Sequence, residues 1–451
     1  MSNNITTEKI SRLLWQISIP AILGMLSSAI FNIVDRIFVE KISPYALTAV
    51  GITMPIQVLQ MAFVLLIGIG TSTLISIKIG EGKKEEAEDV LYLALKYILL
   101  FLSAFAILFV VFLEPIMKLI SVSDTVYPYA KTYILIIIVG SIIGIPGYCL
   151  NNSLRSIGQA KISMKIVVIT SILNMILDPL FIFGLHLGIA GAALATILSQ
   201  TVLTVYVIYI FCKRTDFIIN LHRRKIQNEY LLVKQSIKMG TPSFLTQILA
   251  TIVNMFVNNR LLVFGTDLDI AAMTIISSIF TFYHMVVSGL AQGNNVICGM
   301  NWGAMEYKRV KKSLQLSLLV ATFLSIGLFL VVELYPQGLV RLFTDKQELS
   351  TVTAQGMRLY FFMLPLLGIQ SISALYFQAV GKTKRSSVLS FLRYGIIIVP
   401  SVYLLTPVMG VKGIYLSNGV SDGIASIAAI VCIILEMKRL GKMSKVPKAE
   451  N

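Results

Sequence analysis

The chain has 451 residues, of which 56% are hydrophobic and only 13% are charged, and its mean hydropathy is +0.82. Soluble domains carry about 25% charged residues, so this composition excludes an ordinary water-soluble fold. The formal net charge of +16 would suit a nucleic-acid-binding protein. The positions of the Lys and Arg residues along the chain, described below, argue against that class of partner.

Apolar segments follow one another from end to end, and each is long enough to cross a hydrocarbon core of about 30 Å as a helix. We number them span 1 to span 12 and predict them at residues 12–38, 47–76, 91–113, 127–150, 162–183, 189–211, 232–261, 269–298, 311–334, 351–377, 386–406 and 412–436. The first apolar run is too long for a cleaved signal peptide, so we expect span 1 to be retained. The sequence therefore predicts an all-α membrane protein with twelve transmembrane helices.

Basic residues concentrate in alternate loops. If the N-terminus lies inside, most of the 38 Lys and Arg residues fall on the cytoplasmic side. Their clusters lie at residues 78–84, 155–165, 213–225, 308–312 and 382–385 and in the tail from 438. Cytoplasmic loops of membrane proteins carry this excess. We therefore predict a multi-pass protein of the plasma (cytoplasmic, inner) membrane, with both termini cytoplasmic, lipid around it and no nucleic-acid partner.

The two halves of the chain resemble each other. A shift of 222 residues places Pro20 over Pro242 and Asn32 over Asn254. Six spans is an even number, so both halves enter the membrane in the same sense, as parallel repeats do. We predict an N-lobe at residues 1–212 with the cation-coupling site, a cytoplasmic connector at 213–231, and a C-lobe at 232–451 with a basic tail. The fold would then consist of two pseudo-symmetric six-helix lobes.

Two carboxylates stand out inside the spans, Asp35 in span 1 and Asp178 in span 5. A carboxylate near the bilayer centre costs about 2.5–3.5 kcal/mol on insertion scales, so each needs a partner or a role. Asn174 lies one helical turn before Asp178 and shares its face. At about 1.5 Å per residue, both aspartates lie about 6–8 Å from the outer ends of their helices.

Tyr133 and Thr196 fall at a similar depth, at about 9–10 Å from the outer ends. We predict one layer formed by Asp35, Tyr133, Asn174, Asp178 and Thr196. Two close carboxylates are relieved by a proton or a cation between them, so this layer is a predicted H⁺ or Na⁺ site, with Asp35, Asn174, Asp178 and Thr196 as the Na⁺ ligands. Two alternatives stay open: Asp35 pairs with Arg36, or Asp178 caps backbone groups freed by Pro179.

Other polar residues inside the spans are candidates for a substrate cavity. They are Ser28 and Asn32 on the face of Asp35, Gln247 and Asn254 in span 7, and Tyr283 and His284 in span 8. The four cysteines stand singly in or beside apolar runs, a pattern that predicts neither disulfides nor a structural metal site.

The segments VDRIFVEKISPYALTAVGITMPI (34–56), GIGTSTLISIKIGEGKKEEAE (68–88) and LNMILDPLFIFGLHLGIAGAALATILSQ (173–200) resemble the multidrug and toxic compound extrusion (MATE) family. The branch named for the DinF and MepA proteins is the most similar. The resemblance implies two six-helix lobes arranged as a V. It also implies a secondary active antiporter that acts as a monomer without a cofactor and exports cationic, amphipathic drugs in exchange for H⁺ or Na⁺.

Carried over residue by residue, the branch's cation site maps onto Asp35, Tyr133, Asn174, Asp178 and Thr196, and a proline linked to helix bending maps onto Pro20. The sequence departs from the family at Arg36, where a small or neutral residue is usual, and at Glu40, where glycine is usual. A guanidinium beside Asp35 would weaken proton coupling.

Three other functions fit the sequence less well. A lipid-linked saccharide flippase of the same superfamily needs a strongly cationic cavity, for which the candidate residues are Lys96, Lys238 and Arg393. An enzyme needs a cluster of reactive groups, yet the three His residues are far apart in sequence. A passive channel would show charge rings or filter-like repeats, which the sequence lacks. The sequence therefore favours a transporter that is not an enzyme.

Overall fold

The structure, a computed structural model, describes residues 7–120, 122–213, 217–222 and 226–445. The regular elements in these ranges are all helical. Eleven helices are individually long and apolar enough to cross a membrane, and two more, bent by 52°, together make a further span. The predicted twelve-span, all-α membrane fold is confirmed. The predicted basic cluster at 213–225 lies partly outside the described residues.

The observed helices match the predicted spans closely. Spans 1 to 6 are Ile10–Glu40, Pro44–Gly80, Lys84–Val111, Tyr127–Gly144, Ala160–Gly184 and Gly188–Lys213. Spans 7 to 12 are Glu229–Phe264, Asp267–Gly303, Tyr307–Leu334, Gln347–Phe361 with Leu364–Ala379, Thr383–Met409 and Val411–Met443. The short helices Leu113–Leu119, Pro146–Ser156 and Pro336–Val340 lie between them. Span 4 ends earlier than predicted, at Gly144, and Pro146 begins a new helix, where its fixed φ and missing amide hydrogen suit the first position.

Local sequence signals set several of the helix ends. The Ser43 hydroxyl accepts a hydrogen bond from the Tyr45 amide at 3.0 Å, which caps the start of span 2. At the start of span 8, the Thr266 amide donates to Asp269 Oδ2 at 2.9 Å, one half of a capping box. Spans 11 and 12 are separated by Gly410 alone, whose φ of 59° is readily adopted only by glycine.

The chain forms two compact units that divide inside spans 1 and 7. Of the described residues, one unit contains Leu23–Phe244, and the other contains those up to Ile22 together with those from Leu245 onwards. These divisions differ from the predicted boundary in the connector at 213–231. They lie 222 residues apart, and each falls two residues after a proline, Pro20 or Pro242. The first halves of spans 1 and 7 therefore belong to the unit formed mainly by the other half of the chain.

In the first unit, the first half of span 7 crosses span 2 at very short distance. A Cβ atom added at Gly70 would lie 2.1 Å from the Ser236 carbonyl oxygen, and one at Gly240 would lie 1.8 Å from the Leu66 carbonyl oxygen. Small residues allow transmembrane helices to approach in this way. The absence of side chains at these two positions therefore allows span 7 to pack closely against span 2.

The second unit has the corresponding crossing between spans 1 and 8. A Cβ atom at Gly293 would lie 2.1 Å from Ser18 Oγ, and one at Gly289 would lie 2.9 Å from the Ile22 amide nitrogen. The first half of span 1 thus packs closely against glycines of span 8, just as the first half of span 7 packs against span 2 in the other unit.

A buried apolar cluster in the first unit positions the polar layer of interest. It includes Phe109 of span 3, Ile134 and Ile138 of span 4, and Ile182 just after Asp178. These side chains are 3% exposed or less. The backbone of span 4 that carries Tyr133 is therefore held by close packing.

Candidate functional site

Asp35 and Asp178 come together between spans 1 and 5. Their carboxyl groups lie within hydrogen-bond distance of each other. Asn174 Nδ2 donates to Asp178 Oδ1 at 3.2 Å, and the two side chains belong to residues that are 2% and 0% exposed. Two carboxylates at this separation repel each other strongly unless a proton or cation lies between them. The predicted pairing of spans 1 and 5 is present in the structure.

Three oxygen atoms of this cluster are buried without a hydrogen-bond partner. Within the described part of the chain, these are Asp35 Oδ1, Asn174 Oδ1 and Asp178 Oδ2. Leaving a buried acceptor unsatisfied costs about 1–3 kcal/mol, and more for a charged group. A proton would satisfy one of the carboxylate oxygens, and a hard metal cation prefers a set of oxygen ligands such as this one. These oxygen atoms could therefore hold a proton or a small cation.

Tyr133 lies beside the two carboxylates. Its side chain lies close to Gln57 in span 2 and within electrostatic range of Asp35 and Asp178. The residue is 5% exposed. Gln57 was not among the predicted site residues, because a single neutral amide in an apolar span gives no distinctive sequence signal.

The backbone after Asp178 is unusual. Pro179 has no amide hydrogen, and the chain continues as a π-helical turn over Leu180–Gly184, in which the Leu185 amide donates to the Leu180 carbonyl at 2.8 Å. Such turns occur frequently at functional sites. In the described chain, the side-chain partners of Asp178 are Asn174 and Asp35. The alternative, in which Asp178 caps the backbone freed by Pro179, is not what the structure shows.

Arg36 does not pair with its neighbour. Among the ion pairs of the described residues none joins Arg36 to Asp35, and Arg36 Nη2 instead approaches Met54 Sδ at 3.9 Å. The Arg36 side chain is exposed. The alternative of a structural Asp35–Arg36 pair is therefore not supported.

Thr196 and Pro20 are less directly connected to the carboxylates. Thr196 is half-buried in span 6, and within the described chain no hydrogen bond joins it to Asp35 or Asp178. Its role as a cation ligand stays a prediction. Pro20 is buried inside span 1, next to the point at which that helix passes from one compact unit to the other.

The candidate cavity residues of spans 1 and 7 differ in their surroundings. Ser28 Oγ donates to the Gly24 carbonyl at 3.1 Å, and Asn32 Nδ2 donates to the Ser28 carbonyl at 2.7 Å. Asn32 and its counterpart Asn254 are exposed, and Gln247 is half-buried. The assignment of these residues to a substrate cavity stays a prediction.

Tyr283 and His284 lie within the second unit. The Tyr283 hydroxyl is 2.6 Å from Ser325 Oγ in span 9. The His284 ring packs on Phe280 with a centroid separation of 5.9 Å. Both residues therefore have partners inside their own unit.

A charged pair in the second unit was missed. Arg393 Nε in span 11 donates to Asp422 Oδ1 in span 12 at 2.7 Å, and the two side chains are only 5% and 10% exposed. Arg393 was expected only as a cation inside a span, without a carboxylate partner. Opposite charges in two consecutive spans were the available signal.

Comparison with known proteins agrees with this architecture. The MatE family model matches twice, at residues 20–180 and 242–404. The two matches begin 222 residues apart, which confirms the predicted duplication and its register.

Curated relatives extend over nearly the whole chain. The multidrug export protein MepA of Staphylococcus saprophyticus is 25% identical over 435 residues, covering 96% of this chain and 94% of its own. MepA of Staphylococcus aureus strain MSSA476 is 26% identical, covering 94% and 93%. A FAD transporter of Shewanella oneidensis is also 26% identical, covering 94% and 95%.

Solved structures share the fold. A MATE transporter in a bent conformation superposes with a TM-score of 0.91 at 23% identity, covering 99% of both chains. An outward-facing multidrug resistance MATE transporter gives a TM-score of 0.90 at 23% identity, covering 98% of each. A mutant of the Vibrio cholerae MATE transporter VcmN gives 0.90 at 25% identity, covering 96% of this chain and 98% of its own. The two-lobe, twelve-helix fold is therefore the one that these transporters have.

Proposed function

Since the chain belongs to the MatE family, the multidrug and toxic compound extrusion transporters, we propose that it exports cationic, amphipathic organic compounds in exchange for H⁺ or Na⁺. It is a multi-pass membrane transporter and not an enzyme. The staphylococcal relatives are multidrug export proteins. The observation that carries the coupling proposal is the buried contact between Asp35 and Asp178.

The coupling cation would be held by the oxygen atoms of Asp35, Asn174 and Asp178 that have no other partner. With the cation bound, the repulsion between the two carboxylates is relieved and spans 1 and 5 are drawn together. Without it, the same repulsion favours separation of the two helices. A ligand moves a conformational equilibrium only through its different affinity for the two states, and this charge cluster supplies such a difference.

Orientation and assembly belong to the same proposal. The basic loops favour cytoplasmic termini in the plasma membrane, and a polytopic antiporter of this kind would work as a monomer. H⁺ and Na⁺ both fit the chemistry of the oxygen cluster, and the gradient that drives transport would identify the ion. No bound cofactor enters the proposed cycle.

The flippase alternative is not favoured. A diphosphate headgroup requires several free cations in one cavity, and of the three candidates Lys96 pairs with Glu229 at 2.6 Å and Arg393 pairs with Asp422 at 2.7 Å. The third, Lys238, is exposed. The named relatives are exporters of drugs and a transporter of FAD.

The coupling proposal is tested by dye efflux from proteoliposomes under imposed pH or Na⁺ gradients, with ethidium as the cationic probe. We expect the protein to export the dye only when a gradient is imposed. We expect Asp35→Asn and Asp178→Asn each to abolish this gradient-driven export. Asp345→Asn, at an exposed position outside the spans, is the matched control and should transport normally.

Two results would contradict the proposal. Gradient-driven efflux that survives in both Asp35→Asn and Asp178→Asn would remove the coupling role of these carboxylates. Dye movement that ignores both gradients in the wild-type protein would exclude a secondary antiporter. Thermal stability of each variant, measured in the same detergent, separates loss of coupling from loss of folding.

A further inference from the structure

The second unit contains a buried pair of opposite charges next to an irregular turn. Arg393 lies in a π-helical segment, Leu392–Ile397, which interrupts span 11. Its carbonyl, displaced from the regular helix pattern, accepts a hydrogen bond from Ser421 Oγ at 2.5 Å. Span 5, the counterpart of span 11 in the other half, has its own π-helical turn directly after the Asp178–Pro179 pair. Each half thus places a charged residue at a π-turn in the same helix of the repeat.

The hydrogen bonding of this pair is incomplete. In the described chain, the Arg393 side chain makes one hydrogen bond, from Nε to Asp422 Oδ1. The Nη1 and Nη2 groups have no acceptor there, and Asp422 Oδ2 has no donor. Asn418, one helical turn before Asp422 and on the same face, has a buried Nδ2 without a partner. A purely structural Arg–carboxylate pair usually satisfies more of the planar fork with two parallel bonds.

Aromatic rings lie around the guanidinium group. Arg393 Cζ is 4.6 Å from the Tyr394 ring centroid and 5.6 Å from that of Phe280. Phe280 in turn contacts the Tyr360 ring at 5.9 Å. Such rings provide a flat apolar surface and attract cations through their faces. The site therefore combines a positive edge, a negative oxygen and aromatic surface inside the membrane domain.

We propose that Arg393 and Asp422 bind zwitterionic aromatic compounds, with the ligand's carboxylate on the Nη1 and Nη2 edge of Arg393 and its cationic part towards Asp422. Binding of such a ligand adds one charge of each sign, so no charge is left uncompensated in the low-dielectric interior. A carboxylate fits two parallel N–H donors of a guanidinium, which a single ammonium group cannot offer. Asn418 Nδ2 is a further donor within the same site. This inference rests on the proposed export function, because it names a class of cargo.

Two dyes that differ only in the relevant group test the proposal. Rhodamine 110 carries a free carboxylate on the same cationic ring system on which rhodamine 123 carries a methyl ester. Their dissociation constants would be measured by fluorescence anisotropy with the purified full-length protein in detergent. We expect rhodamine 110 to bind about tenfold more tightly than rhodamine 123, the effect of one charge-assisted bidentate contact. General effects on the shared rings cancel in this ratio.

The double variant Arg393→Gln/Asp422→Asn removes both charges without stranding either one. We expect it to bind the two dyes with a ratio near one. Arg393→Lys keeps the charge opposite Asp422 but loses the planar fork, so it should also reduce the ratio severalfold, and it serves if the double variant does not fold. Arg260→Gln is the matched control. Arg260 Cζ lies 4.8 Å from the Tyr403 ring centroid, and Arg260 has no carboxylate partner among the described residues.

Equal affinities for the two dyes in the wild-type protein would overturn the proposal, as would an unchanged ratio in the double variant or in Arg393→Lys. The measurement needs no ion gradient, so its outcome is independent of the coupling proposal. Asp178→Asn should lose gradient-driven efflux and keep the binding ratio. Failure of the dye preference with intact gradient-driven export would remove this site alone.

Discussion

Replacement of Gly70 by alanine tests whether the crossing of spans 2 and 7 requires a missing side chain. The added Cβ would lie 2.1 Å from the Ser236 carbonyl oxygen and 2.9 Å from the Gly240 amide nitrogen. Both are backbone atoms, so no side-chain rotation relieves the contact, and the helices must separate by about 1 Å to reach ordinary van der Waals distance. Overpacking of this kind costs about 1–3 kcal/mol. Gly51, in the same helix, has no heavy atom within 4 Å of such a Cβ.

Gly51→Ala should therefore be neutral or slightly stabilising, because alanine is the better helix former by about 1 kcal/mol. Unfolding would be followed in detergent with a thiol-reactive fluorophore that reports exposure of the buried Cys149. The exposed Cys212, the half-buried Cys432 and the buried Cys298 would first be replaced by serine, so that Cys149 is the one thiol left. We expect a melting temperature several degrees lower for Gly70→Ala than for Gly51→Ala. Equal melting temperatures would refute the argument that close backbone contact fixes span 7 on span 2.

Two further predictions concern buried polar contacts. Glu436 is fully buried and pairs with Lys382, so Glu436→Ala should lower the free energy of unfolding by about 3–5 kcal/mol. The Glu333 side chain is 36% exposed, so Glu333→Ala should lower it by less than about 1 kcal/mol in the same thermal unfolding measurement. Equal losses would contradict the difference in burial. Gln60 Nε2 donates to Ser141 Oγ at 2.7 Å, and a double-mutant cycle with Gln60→Met and Ser141→Ala should give a coupling of about 0.6 kcal/mol. Additive effects would show that this bond contributes nothing.

The sequence alone predicted the repeat and the proximity of Asp35 and Asp178 because the signals were strong and local. Apolar length fixes how many times the chain crosses the membrane, since each crossing needs its own backbone hydrogen bonds inside one helix. The shift between Pro20 and Pro242 appears again in the two family matches. Asp35 and Asp178 were found because ionisable groups inside apolar spans are rare. Helix rise then placed them at one depth without any knowledge of packing.

Apart from the proximity of Asp35 and Asp178, contacts between helices could not be predicted from the sequence. Depth along an axis follows from residue number, but the rotation of a helix about its axis depends on neighbours far away in the chain. The approach of Gln57 to Tyr133 and the pairing of Arg393 with Asp422 both depend on that rotation.

The sequence by itself determined the twelve spans, their duplication and the layer that holds Asp35 and Asp178. Only the tertiary structure decided that the compact units divide inside spans 1 and 7. The polar connector at 213–231 shows where one apolar span ends and the next begins, but it does not show which spans pack together. Gly70, Gly240, Gly289 and Gly293 permit this arrangement because they allow neighbouring helices to approach closely. A glycine's sequence position does not reveal which backbone fills the space that its missing side chain leaves.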